Sequence, residues 1–337
     1  MRVLNSKKLL FITAVTLLMT LALMATLLTP AIELTRFRNS LLAARGTPAE
    51  FAWTPANLPQ DFRYETLDAP KLIRDGSVSV SDIDAAVDKM TGIVAHLRHL
   101  PKKRGPIQSD TLTTYRIIRS EGRGYCADYT QVFNALAHAA DLPVREWGLS
   151  FDRFSGDGHA FSEVFDDKVG RWMFVDPMHG FYVRSRATGD VLSVLEFRAR
   201  LLQQDGLSDT EIVPIDSAFM FDSDRAAFNY YRAGADQFYL WFGNDVFSYD
   251  QNVLVRLFGV SRSLEQLAAI LIGIHPEIRI LETPTNGDEI DALLALSDRV
   301  IGLVALSFLL SIVLLVQIVA LVRARRRDLS LEALDIA

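Results

Sequence analysis

Gly158-His159-Ala160-Phe161-Ser162-Glu163-Val164-Phe165 and Arg171-Trp172-Met173-Phe174-Val175-Asp176 are two short, aromatic-rich runs without proline. The polar stretch between them contains Asp166, Asp167 and Gly170. That pattern predicts a β-hairpin. Setting His159 opposite Asp176 puts Phe161 opposite Phe174 and Glu163 opposite Trp172. All six then share one sheet face, because side chains alternate with a period of two. Directly opposed Cβ atoms lie ~4.5–5.5 Å apart, within reach of a carboxylate–imidazole hydrogen bond. A slip of one residue would move Asp176 to the other face.

Upstream, Ala127–Ala140 reads as a helix with Val132, Phe133, Leu136 and Ala140 on one face, stopped by Leu142-Pro143. Cys126, the single cysteine of the chain, stands between the turn Glu121-Gly122-Arg123-Gly124 and this helix. A helix N-terminus carries about half a positive charge and unsatisfied N–H groups, which favour the thiolate. A thiol nucleophile needs a base and a group to orient that base. The hairpin offers His159 and Asp176, and the helix packed on that face would bring Cys126 to the free imidazole nitrogen.

These blocks resemble the transglutaminase-like superfamily. Gly124-Tyr125-Cys126-Ala127-Asp128-Tyr129, with Phe133-Asn134-Ala135-Leu136-Ala137 and Leu142-Pro143-Val144-Arg145, is similar to its cysteine block. Gly158–Val164 is similar to its histidine block, and Trp172-Met173-Phe174-Val175-Asp176-Pro177 to its aspartate block. The resemblance covers roughly residues 80–180. It implies an α+β, papain-like core with a helix layer on an antiparallel sheet, and Cys126, His159 and Asp176 as catalytic residues. The family pattern often has Trp after the nucleophile and two positions after the histidine, and Thr after Asp-Pro. Here these are Ala127, Phe161 and Met178, so animal cross-linking activity transfers poorly.

Other polar residues have plain roles to hand. Glu163 is expected to pair with Arg145 or Arg171. His179 is expected on a surface loop, and Asp128 and Tyr129 in capping or packing. His96 and His99 have metal-compatible spacing without a third ligand. Tyr115 is a candidate second oxyanion donor. No metal or organic cofactor is required by the chemistry.

The 337 residues include 20 Phe, 9 Tyr and 4 Trp, enough for a substantial core. One Cys and six His exclude a disulfide framework or zinc fingers. A net charge of −6 gives no sign of nucleic-acid binding. Two uncharged runs, 9–28 and 300–322, match the ~20 residues that span a bilayer. Arg2, Lys7 and Lys8 precede the first, and Arg323, Arg325, Arg326 and Arg327 follow the second. Basic flanks stay cytoplasmic. The expected order is a cytoplasmic 1–8, a membrane helix 9–28 and an irregular, proline-bearing stalk 30–80. A catalytic domain 81–210, an aromatic-rich extension 211–299, a membrane helix 300–322 and a cytoplasmic tail 323–337 follow. This places the domain on the periplasmic side of a bacterial inner membrane.

The function expected is acyl transfer at a peptide or carboxamide bond, hydrolytic (peptidase or amidase) more than cross-linking, on an extracytoplasmic protein or peptide. The rival readings are a non-catalytic scaffold in an envelope complex and a binding subunit of a polysaccharide system.

Overall fold

The computed structural model describes residues 6–27, 31–103, 105–217, 219–259 and 262–335. Two compact units result: residues 38–293, and residues 1–37 with 294–337. The helices are α1 (Ser6–Leu27), α2 (Ala31–Leu42), α3 (Lys71–Ser81), α4 (Ala86–Leu97), α5 (Thr111–Glu121), α6 (Cys126–Ala139), α7 (Val194–Leu202), α8 (Asp224–Ala233), α9 (Val246–Gln251), α10 (Val253–Leu257), α11 (Arg262–Leu271) and α12 (Gly287–Asp335). The strands are β1 (Ala43–Gly46), β2 (Val144–Ser150), β3 (Gly158–Asp166), β4 (Arg171–Asp176), β5 (Phe181–Ser185), β6 (Thr210–Pro214), β7 (Phe238–Trp241) and β8 (Ile278–Leu281).

The fold is α+β. The eight strands form one sheet in the order β1-β8-β7-β2-β3-β4-β5-β6. The β1–β8 pair is parallel and the others are antiparallel, so the sheet is mixed, not wholly antiparallel as expected. Residues 30–80 are more than an irregular stalk. They supply β1, and α3 packs against α6. The 211–299 region adds β7 and β8 to the same sheet.

Both faces of the sheet are covered. On one, Val132, Phe133 and Leu136 of α6 pack with Val144, Val164, Met173 and Val175 of the strands. Complete burial of each large apolar side chain contributes ~1.5–3 kcal/mol. On the other, Phe197 of α7 and Phe228 and Tyr231 of α8 pack with Phe161, Phe174 and Phe181. The second helix layer answers the strand sequences, which are apolar on both sides.

The hairpin forms, but its register is two residues from the expected one. Glu163 faces Phe174 and Phe165 faces Trp172, which carries Asp176 opposite Phe161 instead of His159. A two-residue shift preserves parity, so His159 and Asp176 keep a common face as diagonal neighbours. The cause is the turn. Asp166 pairs with Arg171, and Gly170 adopts a positive φ of 72°, so the loop is 167–170, one position further along the chain than the expected register requires. The helix α6 lies on the opposite face from His159, contrary to expectation.

Two membrane helices were expected. Among the described residues one helix, Gly287–Arg327, is long and apolar enough to cross a bilayer. In α1 the apolar stretch so identified is Lys8–Ala22, within the helix Ser6–Leu27. The end of the expected run, Leu28, lies outside the described residues.

Candidate active site

Cys126 opens α6 and is partly exposed. Asp128 builds the helix entrance: its carboxylate accepts from the N–H groups of Tyr125 (2.8 Å), Ile107 (3.1 Å) and Gln108 (3.0 Å). The resulting position is rigid. Cys126 Sγ sits beside the His159 side chain and the Ala160 N–H, near enough for both to lower its pKa. His159 is the second residue of β3, so the thiol meets it at the end of the sheet, although α6 covers the other face.

His159 Nε2 lies 2.7 Å from Asp176 Oδ2, which leaves Nδ1 for the thiol. Both groups are buried. Asp176 is over-supplied with donors. Oδ1 accepts from the Met178 N–H (2.9 Å) and the His179 N–H (2.8 Å). Oδ2 also accepts from His179 Nδ1 (2.7 Å) and the Tyr231 hydroxyl. His179 stacks on His159 with ring centroids 4.5 Å apart.

The electrostatics follow from this geometry. Burial pushes the Asp176 carboxyl up, but His179 and His159 outweigh it and hold it well below the usual range. Burial works against a charged His159, yet the adjacent Asp176 charge and hydrogen bond, with Cys126, push it up to about 10. Burial raises the Cys126 thiol, and the His159 hydrogen bond and charge with the Ala160 N–H more than reverse this, so it ends below its ordinary value. Both shifts favour the thiolate–imidazolium form of the pair.

The three expected residues are therefore brought together. Tyr115 is not at the site: its hydroxyl meets His96 Nε2 at 2.9 Å in the α4–α5 packing. Glu163 pairs with Arg145 at 2.6 Å. His179, expected on a surface loop, is buried against Asp176 because Gly180, with φ of 74°, turns the chain back after β4. Among the described residues His159, Asp176 and His179 are the one cluster with metal-ligand spacing, their ligand atoms within 4.8 Å. Those atoms are the ones already joined by hydrogen bonds.

Three contributors escaped the sequence reading. Tyr231 belongs to the aromatic stretch and reaches Asp176 from α8. Glu146, on β2, is held by Asn134 Nδ2 at 3.0 Å. Burial, with the Cys126 charge, pushes it up to about 8 despite the Asn134 bond. Lys102 stands beside the loop that enters α6. A charged residue inside an otherwise apolar strand, as in Val144-Arg145-Glu146-Trp147, was the available signal for Glu146.

Residues 78–177 match the family described as the transglutaminase-like superfamily. They form a transglutaminase-like domain. Cys126, His159 and Asp176 all fall inside it. Among solved structures, the periplasmic domain of TgpA from Pseudomonas aeruginosa, crystallised bound to ethylmercury, is similar at 17% identity with a TM-score of 0.29. That match covers 43% of this chain and 49% of the other, so about half of the TgpA structure is spanned. No curated protein matches the chain. The transglutaminase-like domain alone supplies the three side chains; Tyr231, which completes the Asp176 contacts, comes from outside it.

Proposed function

We propose that the chain is a cysteine acyl-transfer enzyme that cleaves a peptide or carboxamide bond. The observation that carries this is Cys126 at the tip of α6, beside His159, whose Nε2 is held by Asp176. The Cys126 thiolate attacks the carbonyl carbon. The tetrahedral oxyanion is met by the Cys126 N–H, a free donor at the helix start. The imidazolium of His159 gives its proton to the departing amine, and a thioester remains. Water then adds to the thioester as His159 takes its proton, and a carboxylic acid leaves. Asp176 holds the imidazole orientation throughout.

Hydrolysis is favoured over cross-linking. Cys126 is partly open, and transamidation would require water to be kept from the thioester. The substrate is a protein or peptide outside the cytoplasm. The Arg323, Arg325, Arg326 and Arg327 cluster at the end of the apolar part of α12 supports this side of the membrane. The two-pass arrangement has only the 9–28 run behind it.

The test is the rate of Cys126 alkylation by iodoacetamide against pH, in the full chain and in His159→Ala. The parent should react well below the ordinary thiol range of ~8.5, and the variant should return towards it. A thiol that titrates normally in both would end the enzyme reading.

A further inference from the structure

Helices α10 and α11 pack against each other, and both leave large apolar side chains in solvent. Val253, Leu254 and Leu257 of α10, with Phe258 at its end, fall on one side of the helix, and Val255, on the other side, is buried. On α11, Leu267 and Leu271 are exposed, with Ile272 just beyond, while Ala268 and Ala269 are buried. Each helix therefore anchors in the domain through one side and offers the opposite one outward. Exposed apolar residues are normal when scattered singly; their concentration along one short stretch marks an interaction surface.

The place of this pair in the domain says what meets it. Residues 38–293 form one compact unit, which the chain enters at Arg38 and leaves at Leu293. Both ends are held at one loop. Asn39 Nδ2 donates to the Phe154 carbonyl at 2.8 Å, and Arg153 Nε lies 3.0 Å from Glu289 Oε1. Helix α11 belongs to the same end, because Arg38 Nη1 donates to Gln266 Oε1 at 3.1 Å. Gln266 immediately precedes Leu267. From the exit point the chain has little length to spare. The uncharged run 300–322 starts seven residues after Leu293 on the same helix, ~10 Å at ~1.5 Å per residue. A surface tethered so close to a bilayer meets lipid at a far higher effective concentration than it meets a soluble partner.

We propose that the α10–α11 pair docks on the surface of the bilayer that α12 crosses, with Val253, Leu254, Leu257, Phe258, Leu267 and Leu271 in the headgroup–acyl boundary. Amphipathic helices bury their apolar side ~5–10 Å into that boundary. Arg256 is the one charged residue between 253 and 259, so apolar burial drives the docking and an anionic lipid is not required. The proposal goes beyond the acyl-transfer reading, and none of the outcomes below bears on that reading.

The test uses the full-length chain with Cys126→Ala, so that each introduced cysteine is the only one to carry a nitroxide label, in phosphatidylcholine vesicles. Leu257→Cys on α10 and Leu271→Cys on α11 are independent reporters. Their side chains are 68% and 73% exposed, so neither substitution removes a buried contact. Val169→Cys, exposed in the β3–β4 turn, reports water, and Val313→Cys, in the apolar run of α12, reports the bilayer interior. Power-saturation EPR reads collisions with oxygen, which concentrates in lipid, and with a nickel chelate, which stays in water. The oxygen-to-nickel ratio at Leu257 and Leu271 should lie several-fold above that at Val169 and below that at Val313. Ratios at both positions equal to that at Val169 overturn the docking. Low collision rates with both reagents overturn it too, since they mark cover by protein, and spin–spin broadening would then identify a second copy. A water-like ratio at Val313 removes the membrane span and the docking together.

Discussion

Strand β3 carries two buried charged clusters on one face, four residues apart, and they differ in what is left over. At Glu163 everything is spent. Its carboxylate takes Arg145 Nε at 2.6 Å, Trp147 Nε1 at 2.5 Å and the Val194 N–H at 2.5 Å. The Arg145 guanidinium is enclosed by the Trp53, Trp147 and Trp172 rings and also donates to the Phe51 carbonyl at 2.9 Å. At His159 the carboxylate is equally saturated, but the cluster ends at a partly exposed residue, Cys126. Burial and charge alone do not separate architecture from chemistry here. The open end does.

The sharpest way to break that contrast is Asp176→Asn. It removes the charge that raises His159, so the imidazole should drop from about 10 towards or below its ordinary ~6.5. Below the raised value the imidazolium is present in the parent; in the variant it is lost by neutral pH, and the thiolate loses its partner. Peptide or amide turnover should fall by about 10³–10⁴-fold, the scale seen when a triad carboxylate is neutralised. Retention of thiolate reactivity at low pH in Asp176→Asn would show that Asp176 is not what sustains the pair.

Glu163→Gln should do the reverse. Removing one partner of a buried ion pair strands the other, at a cost of about 3–5 kcal/mol. Thermal unfolding followed by circular dichroism should move down by about 10 °C for a unit of this size. Below that transition the pH profile of Cys126 alkylation should stay as in the parent. A variant that kept its stability and changed its thiol chemistry would join the two clusters into one functional network.

The contrast was half visible in the sequence. The hairpin, the Cys126 helix and the three side chains follow from periodicity and turn residues, which are local signals. Parity saved the His159–Asp176 pairing even though the register was two residues off, because both positions keep the same face. What stayed hidden depends on long-range closure. Tyr231 reaches Asp176 across 55 residues of chain, and β1 pairs with β8 from the far end of the unit. Lys102 lies in a basic run, Lys102-Lys103-Arg104. Nothing in that run says that one ammonium is turned inward over Tyr129. His179 was misread for the same reason: its burial is set by a turn at Gly180, not by its neighbours in sequence.

Tyr231→Phe is the finest probe of the saturated carboxylate. The hydroxyl is buried, and burial with the Asp176 charge keeps it well above the usual phenol range, so it stays a donor. Its removal takes one of three donors from Asp176 Oδ2 and leaves His159 Nε2 and His179 Nδ1 in place. The net cost of one such bond to a charged acceptor is about 1.5–3 kcal/mol, and Phe preserves the packing against Phe161 and Phe174. A carboxylate with fewer donors concentrates its charge on the remaining ones, so the His159 imidazolium is held more tightly, not less. The alkaline limb of kcat/KM should therefore move upward while turnover at neutral pH falls by about tenfold or less. If the limb moved downward instead, Tyr231 would be orienting His159 through the carboxylate, not sharing its charge, and the Asp176 cluster would be closer in kind to the sealed one at Glu163.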